Sequence, residues 1–189
     1  MNGRFGTAMA FLFGKEPRKP EVALVLALGL GGGVAAALAG SPWGWSPVQR
    51  AVGFLLAADI LGGVAANRTV STDRFYARGG RPLRFSFLGI HILQPLLLWA
   101  AFPEIGPRAP LALWGVSAVF ATAVILADGK PWQDALGAGL AALGSAAGVL
   151  AFGRPDLAWF PVLYCHKLVS SFAPVRIPGA VSKDRTIRD

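Results

Sequence analysis

Only two histidines occur in the chain, His91 and His166, and both interrupt stretches that are otherwise apolar. An acid, Asp59, does the same in the run DILGG (59–63), and Lys167 follows His166 directly. Such groups can hold a proton, pair with one another or hydrogen-bond a polar ligand. Within an apolar run they are costly, and they face protein or a cavity rather than lipid. The stretch GIHILQP (89–95) adds two details. Gln94 lies three residues after His91, on the same helix face. Pro95 lies four after it and has no N–H, so the His91 carbonyl loses its intrahelical partner. Counted from the nearest end of its apolar run, each of Asp59, His91 and His166 lies about 10 Å deep at ~1.5 Å per residue. The three are therefore expected at one level.

Two readings follow. In one, Asp59 pairs with Lys167 or bonds His91 and serves to fix helix register. In the other, Asp59, His91, Gln94, His166 and Lys167 form an intramembrane polar site that binds a ligand or relays a proton. Gly62 and Gly63 remove side chains one turn beyond Asp59, which would admit a neighbouring helix or open a pocket. No cofactor is demanded. Haem b with His91 and His166 as axial ligands is the one cofactor these residue types could serve. A zinc site with Asp59 as third ligand is weaker, because there is no i, i+4 histidine pair, and no metal is expected. GxSxG, Walker A and HExxH signatures are absent, so the balance leans away from an enzyme.

A second basic cluster lies at 67–84, with five arginines and one aspartate. It reads as a polar loop that sets topology and attracts anionic lipid headgroups. Arg74, Arg78, Arg81 and Arg84 could also grip a headgroup phosphate as guanidinium forks.

The elements that must position these residues are membrane-length. Of 189 residues, 54% are hydrophobic and 15% charged, and the mean hydropathy is +0.53. The apolar residues come in blocks of about twenty, the length of a transmembrane helix. The expected fold is an all-α polytopic bundle of six spans: 21–40, 48–66, 85–102, 110–127, 135–151 and 157–173. A basic, interfacial segment (1–20) precedes this single transmembrane domain (21–173), and a polar basic tail (174–189) follows it. The 157–173 stretch, with His166 and Lys167 inside it, also reads as re-entrant. Ser46-Pro47 is the expected cap of the second span. Pro110 is expected to open the fourth, and Asp134 and Asp156 to cap the fifth and sixth.

With both termini inside, Arg50, Arg108 and Arg154 alone fall outside among the 18 Lys and Arg, apart from Lys167 within a span. This positive-inside bias accounts for the net charge of +8 without nucleic acid. Trp43, Trp45, Trp99, Trp114 and Trp159 are expected as an outer aromatic belt. Gly29-x-x-x-Gly33 and Gly144-x-x-x-Gly148 are expected to pack helices within the chain. The second, third and sixth spans would form a polar seam, and the fourth would face lipid.

The abundance of Ala, Gly, Arg and Pro suggests a GC-rich bacterial genome, hence a multi-pass protein of the inner (plasma) membrane. The expected function is a carrier or channel for a proton-linked small solute or ion. The alternatives are a non-catalytic subunit or assembly partner, a lipid-modifying membrane enzyme and a haem b electron-transfer protein. The expected partners are the bilayer, anionic headgroups at the inner face, and a protein partner or a second copy.

Overall fold

The computed structural model describes residues 9–10, 12–15 and 17–174, and they are helical with no strand among them. The polar tail beyond Pro174 and residues 1–8, 11 and 16 of the basic N-terminal segment lie outside the described residues. The helices are α1 (Lys19–Ala39), α2 (Pro47–Ala66), α3 (Val70–Ile90), α4 (Leu93–Ala101), α5 (Arg108–Leu126), α6 (Gln133–Phe152) and α7 (Trp159–Cys165). The last runs on as a π-helix, His166–Phe172. Among the described residues five units are long and apolar enough to cross a membrane: α1, α2, the pair α3–α4, α5 and α6. This is the architecture of a multi-pass membrane protein.

The stretch expected as a sixth span differs in kind. α7 and the π-helix have seven residues each, about 21 Å together at ~1.5 Å per residue. They are enclosed instead of lipid-facing. Phe160, Tyr164, Cys165, Leu168, Val169 and Ala173 are all fully buried, and the segment packs against α2, α5 and α6. A short, mostly apolar helix whose polar groups find partners inside the protein belongs in a core. Gly144 and Gly148 of α6 let it approach, since a Cβ there would meet Cys165 Sγ at 3.0 Å and Pro161 Cβ at 2.5 Å.

α5 was expected to face lipid. It does so on one side only: Val119 is exposed, while Leu113, Ser117, Ala121, Val124 and Ile125 are buried. Because both of its faces are apolar, nothing in its composition separates the lipid side from the core side.

The third span begins earlier than its hydropathy indicates. The polar stretch after Asn67 is helix from Val70, because Thr69 caps it with Oγ1 accepting from Thr72 N at 3.3 Å. Tyr76 faces inward and Arg74 and Arg78 face outward. Gly80, at φ 65° and ψ −169°, kinks the helix between this amphipathic part and the apolar part, a conformation open to glycine. A second break separates α3 from α4 around His91, where Pro95 denies the ladder a donor. Without that donor the His91 carbonyl accepts from Tyr164 Oη at 2.9 Å and from Gln94 N at 3.3 Å.

Ser46 caps α2 as expected, with Oγ accepting from Gln49 N at 3.2 Å and Gln49 Oε1 accepting from Ser46 N at 2.9 Å. The other expected caps shift. α5 opens at Arg108, Trp132 rather than Asp134 precedes α6, and Asp156 sits in a 3-10 turn. α1 leans on α2 through Gly29, whose Cβ would stand 3.0 Å from the Ala58 carbonyl and 3.6 Å from Gly62 Cα.

Candidate functional site

Asp59 on α2, Gln94 on α4 and Lys167 on the π-helix meet as the polar seam. Lys167 Nζ donates to Asp59 Oδ2 at 2.8 Å and to the Asp59 carbonyl at 3.3 Å. Gln94 Nε2 donates to the same Oδ2. A carboxylate only accepts, so the amide nitrogen of Gln94 must face it. Gln94 Oε1 is then buried with no partner among the described residues. The two glycines after Asp59 divide the work. Gly62 receives α1, whereas a Cβ on Gly63 would stand 2.4 Å from Lys167 Cε, so Gly63 holds open the channel for the lysine stem.

The pair is lopsided. The Lys167 side chain is 3% exposed and that of Asp59 is 47% exposed. The carboxylate opens into a cavity of about 680 Å³ bounded by α1, α2 and the second half of α3. Its walls are Leu26, Gly29, Leu30, Ala58, Leu83 and Phe87 among others, and its polar corner is Asp59, Lys167 and His91. Asp59 Oδ1 has no hydrogen-bond partner among the described residues. His91 Nδ1 lies 2.6 Å from the Phe87 carbonyl. A carbonyl accepts, so Nδ1 carries the proton and Nε2 keeps its lone pair. The corner therefore offers two acceptors to whatever enters an otherwise apolar space.

His166 does not join them. Its Nδ1 lies 3.1 Å from Ser170 Oγ, one turn on, and it does not line the cavity. Adjacent positions point about 100° apart on a helix, so with Lys167 aimed at Asp59, His166 aims elsewhere. The two histidines thus have different hydrogen-bond partners. Among the described residues no three His, Cys, Asp or Glu side chains converge as a metal site.

The arginine cluster also divides. Arg84 is buried. Its Nη1 and Nη2 hold Asp128 at 2.6 and 3.2 Å, and Nη2 also donates to the Ala173 carbonyl. Arg68 Nη2 donates to the Ser170 carbonyl at 2.9 Å, and Asn67 Nδ2 to that of Lys167 at 3.4 Å. Arg68 and Arg84 thus satisfy carbonyls at the end of the buried helix that its own ladder leaves over, and Asn67 adds a bond within it. Arg84 is therefore a structural clamp and not a headgroup ligand. Arg74, Arg78 and Arg81 remain exposed.

A second ionic cluster, which the sequence pattern did not reveal, joins the connections at the other ends of the helices. Asp156 accepts from Trp45 Nε1 at 2.8 Å and from Arg154 Nε and Nη2 at 2.9 and 2.7 Å. Arg154 Nη1 reaches Glu104 at 2.7 Å. The Arg154 hydrogen bonds hold the Asp156 carboxyl below its ordinary range, and Asp156 in turn raises Arg154. Trp45 is thus a buried donor, not part of an aromatic belt. Trp114 likewise donates inward, to the Leu88 carbonyl at 3.2 Å.

No known protein family, no curated protein and no solved structure matches the chain.

Proposed function

We propose that the chain is a proton-linked membrane carrier for a small amphiphilic solute, bound in the cavity beside Asp59. One observation carries the reading: a paired carboxylate with a free oxygen stands half-exposed at the polar corner of an apolar cavity. Apolar walls with a few convergent polar groups are the pattern of a ligand site. A proton arriving on Asp59 cancels the charge that holds Lys167, so occupancy of the corner and protonation are linked. The cavity's position between α1, α2 and α3 gives an amphiphile entry from the bilayer.

The test uses purified protein in vesicles of total membrane lipid carrying an internal pH dye. An imposed pH gradient is expected to collapse faster than in empty vesicles, and Asp59→Asn to remove the difference. Equal rates for both proteins would sink the reading. A second reading, a lipid-modifying enzyme with His91 as general base, is favoured by the single observation that His91 lines the cavity while the Phe87 carbonyl accepts from Nδ1, which leaves Nε2 as the basic nitrogen. It predicts a lipid product that disappears in His91→Ala.

A further inference from the structure

Beside the cavity lies a smaller pocket of about 220 Å³, lined by Lys15, Ser71, Arg74, Phe75, Arg78 and Leu83 among others. Leu83 is a wall of both spaces, and the chain at Leu12–Phe13, which borders the cavity, leads directly to Lys15. The kink at Gly80 makes this possible. The turn before it presents Arg74 and Arg78, and the turn after it presents Leu83, Ser86 and Phe87 to the cavity.

The pocket is built, not incidental. Gly14, at φ 76°, lies flat on α3: a Cβ there would stand 2.4 Å from the backbone of Ser71. Ser71 Oγ bridges the Phe13 carbonyl at 2.8 Å and Glu21 Oε2 at 3.0 Å. This contact seats Lys15 opposite Arg74 and Arg78. Three cations converge, and the neighbouring carboxylate, Glu21, is already engaged by Ser71 and by Arg18 N at 3.2 Å. None of Lys15, Arg74 and Arg78 has an ion-pair partner among the described residues.

We infer that the cavity and this basic pocket form one bipartite site for a phosphate-bearing lipid, with the phosphate on Lys15, Arg74 and Arg78 and the apolar chain in the cavity. This names the ligand class for the cavity and so rests on its being a binding site. Charge complementarity selects the head, because guanidinium forks match phosphate oxygens. The apolar walls select the tail. Arg81 and Arg84 take no part, the first because it does not line the pocket and the second because it is consumed by Asp128 and Ala173.

The test is photolabelling of the full chain in neutral vesicles. The probe is phosphatidylglycerol with a carbene precursor midway along one acyl chain, compared with phosphatidylcholine carrying the same chain. Adducts are expected on α1 and α2 cavity residues such as Leu26 and Ala58, with the anionic probe labelling roughly tenfold more strongly. Arg74→Ala with Arg78→Ala should erase that preference while leaving the fold intact, since both side chains are exposed. Arg81→Ala, exposed but outside the pocket, should leave it in place, and because labelling is read without a pH gradient its failure is distinct from that of the proton-flux test. Equal labelling by the two probes, or adducts spread over all lipid-facing helices, would overturn the inference. So would full competition by free inorganic phosphate, which would mark the pocket as a phosphate site independent of the tail.

Discussion

Two ionic clusters, each centred on an aspartate, differ in how completely they are closed. At Asp156, both carboxylate oxygens accept bonds from a guanidinium and one also from an indole, and the side chain is 1% exposed. At Asp59, one oxygen carries two donors while the other has none, and the side chain is 47% exposed. The first is a staple between chain connections. The second leaves bonding capacity unspent beside a cavity, and stability alone gives no reason for that.

Removing each acid is the strongest way to sharpen the contrast. Asp59→Ala strands Lys167, which is 3% exposed, and should cost about 3–5 kcal/mol, the price of an unpaired buried charge. Lys167→Met should cost far less, about 1 kcal/mol, because Asp59 still reaches the cavity opening. The double variant should recover most of the Asp59→Ala loss. Thermal unfolding in mild detergent reads all three, and equal costs for the two single variants would refute the lopsided pair.

Trp45→Phe should cost about 2 kcal/mol, a hydrogen bond to a charged acceptor, without altering proton flux. The same cluster sets an acid limit. Asp156 titrates below its ordinary value in the folded protein. Its stabilisation is therefore present at neutral pH and above about pH 4, and is lost as pH falls through the folded value. Unfolding followed against pH should show that loss in the parent and less of it in Trp45→Phe.

Gly63→Ala should cost about 1–2 kcal/mol by overpacking. Its larger effect should be on flux, because the new methyl displaces the Lys167 stem. Tyr164→Phe should cost about 1 kcal/mol by removing its hydrogen bond to the His91 carbonyl, which keeps only Gln94 N. A shifted pH profile with unchanged expression would show that Tyr164 also positions His91.

The seam was legible because ionisable residues in apolar runs have few places to go, and Asp59, Gln94 and Lys167 do meet. The loss of the His91 carbonyl's i+4 donor at Pro95 was legible too, although not its partner Tyr164. His166 was misplaced because depth along a helix says nothing of azimuth. Arg84 was grouped with its neighbours because its inward direction, unlike that of Arg74, Arg78 and Arg81, leaves no mark in composition. The buried helix 159–172 was read as a span, since lipid and a protein core select the same apolar residues. The Trp45–Asp156 bond links residues 111 positions apart, beyond any local pattern.

The most direct measurement is carboxyl labelling with a lipid-soluble carbodiimide, which enters the bilayer and adds to a carboxylic acid exposed in an apolar space. Peptide mass analysis should find the adduct on Asp59, faster at lower pH, with Asp156 unmodified while the fold is intact. No adduct at Asp59, or equal modification of both acids, would mean the two clusters are alike and Asp59 only fixes helix register.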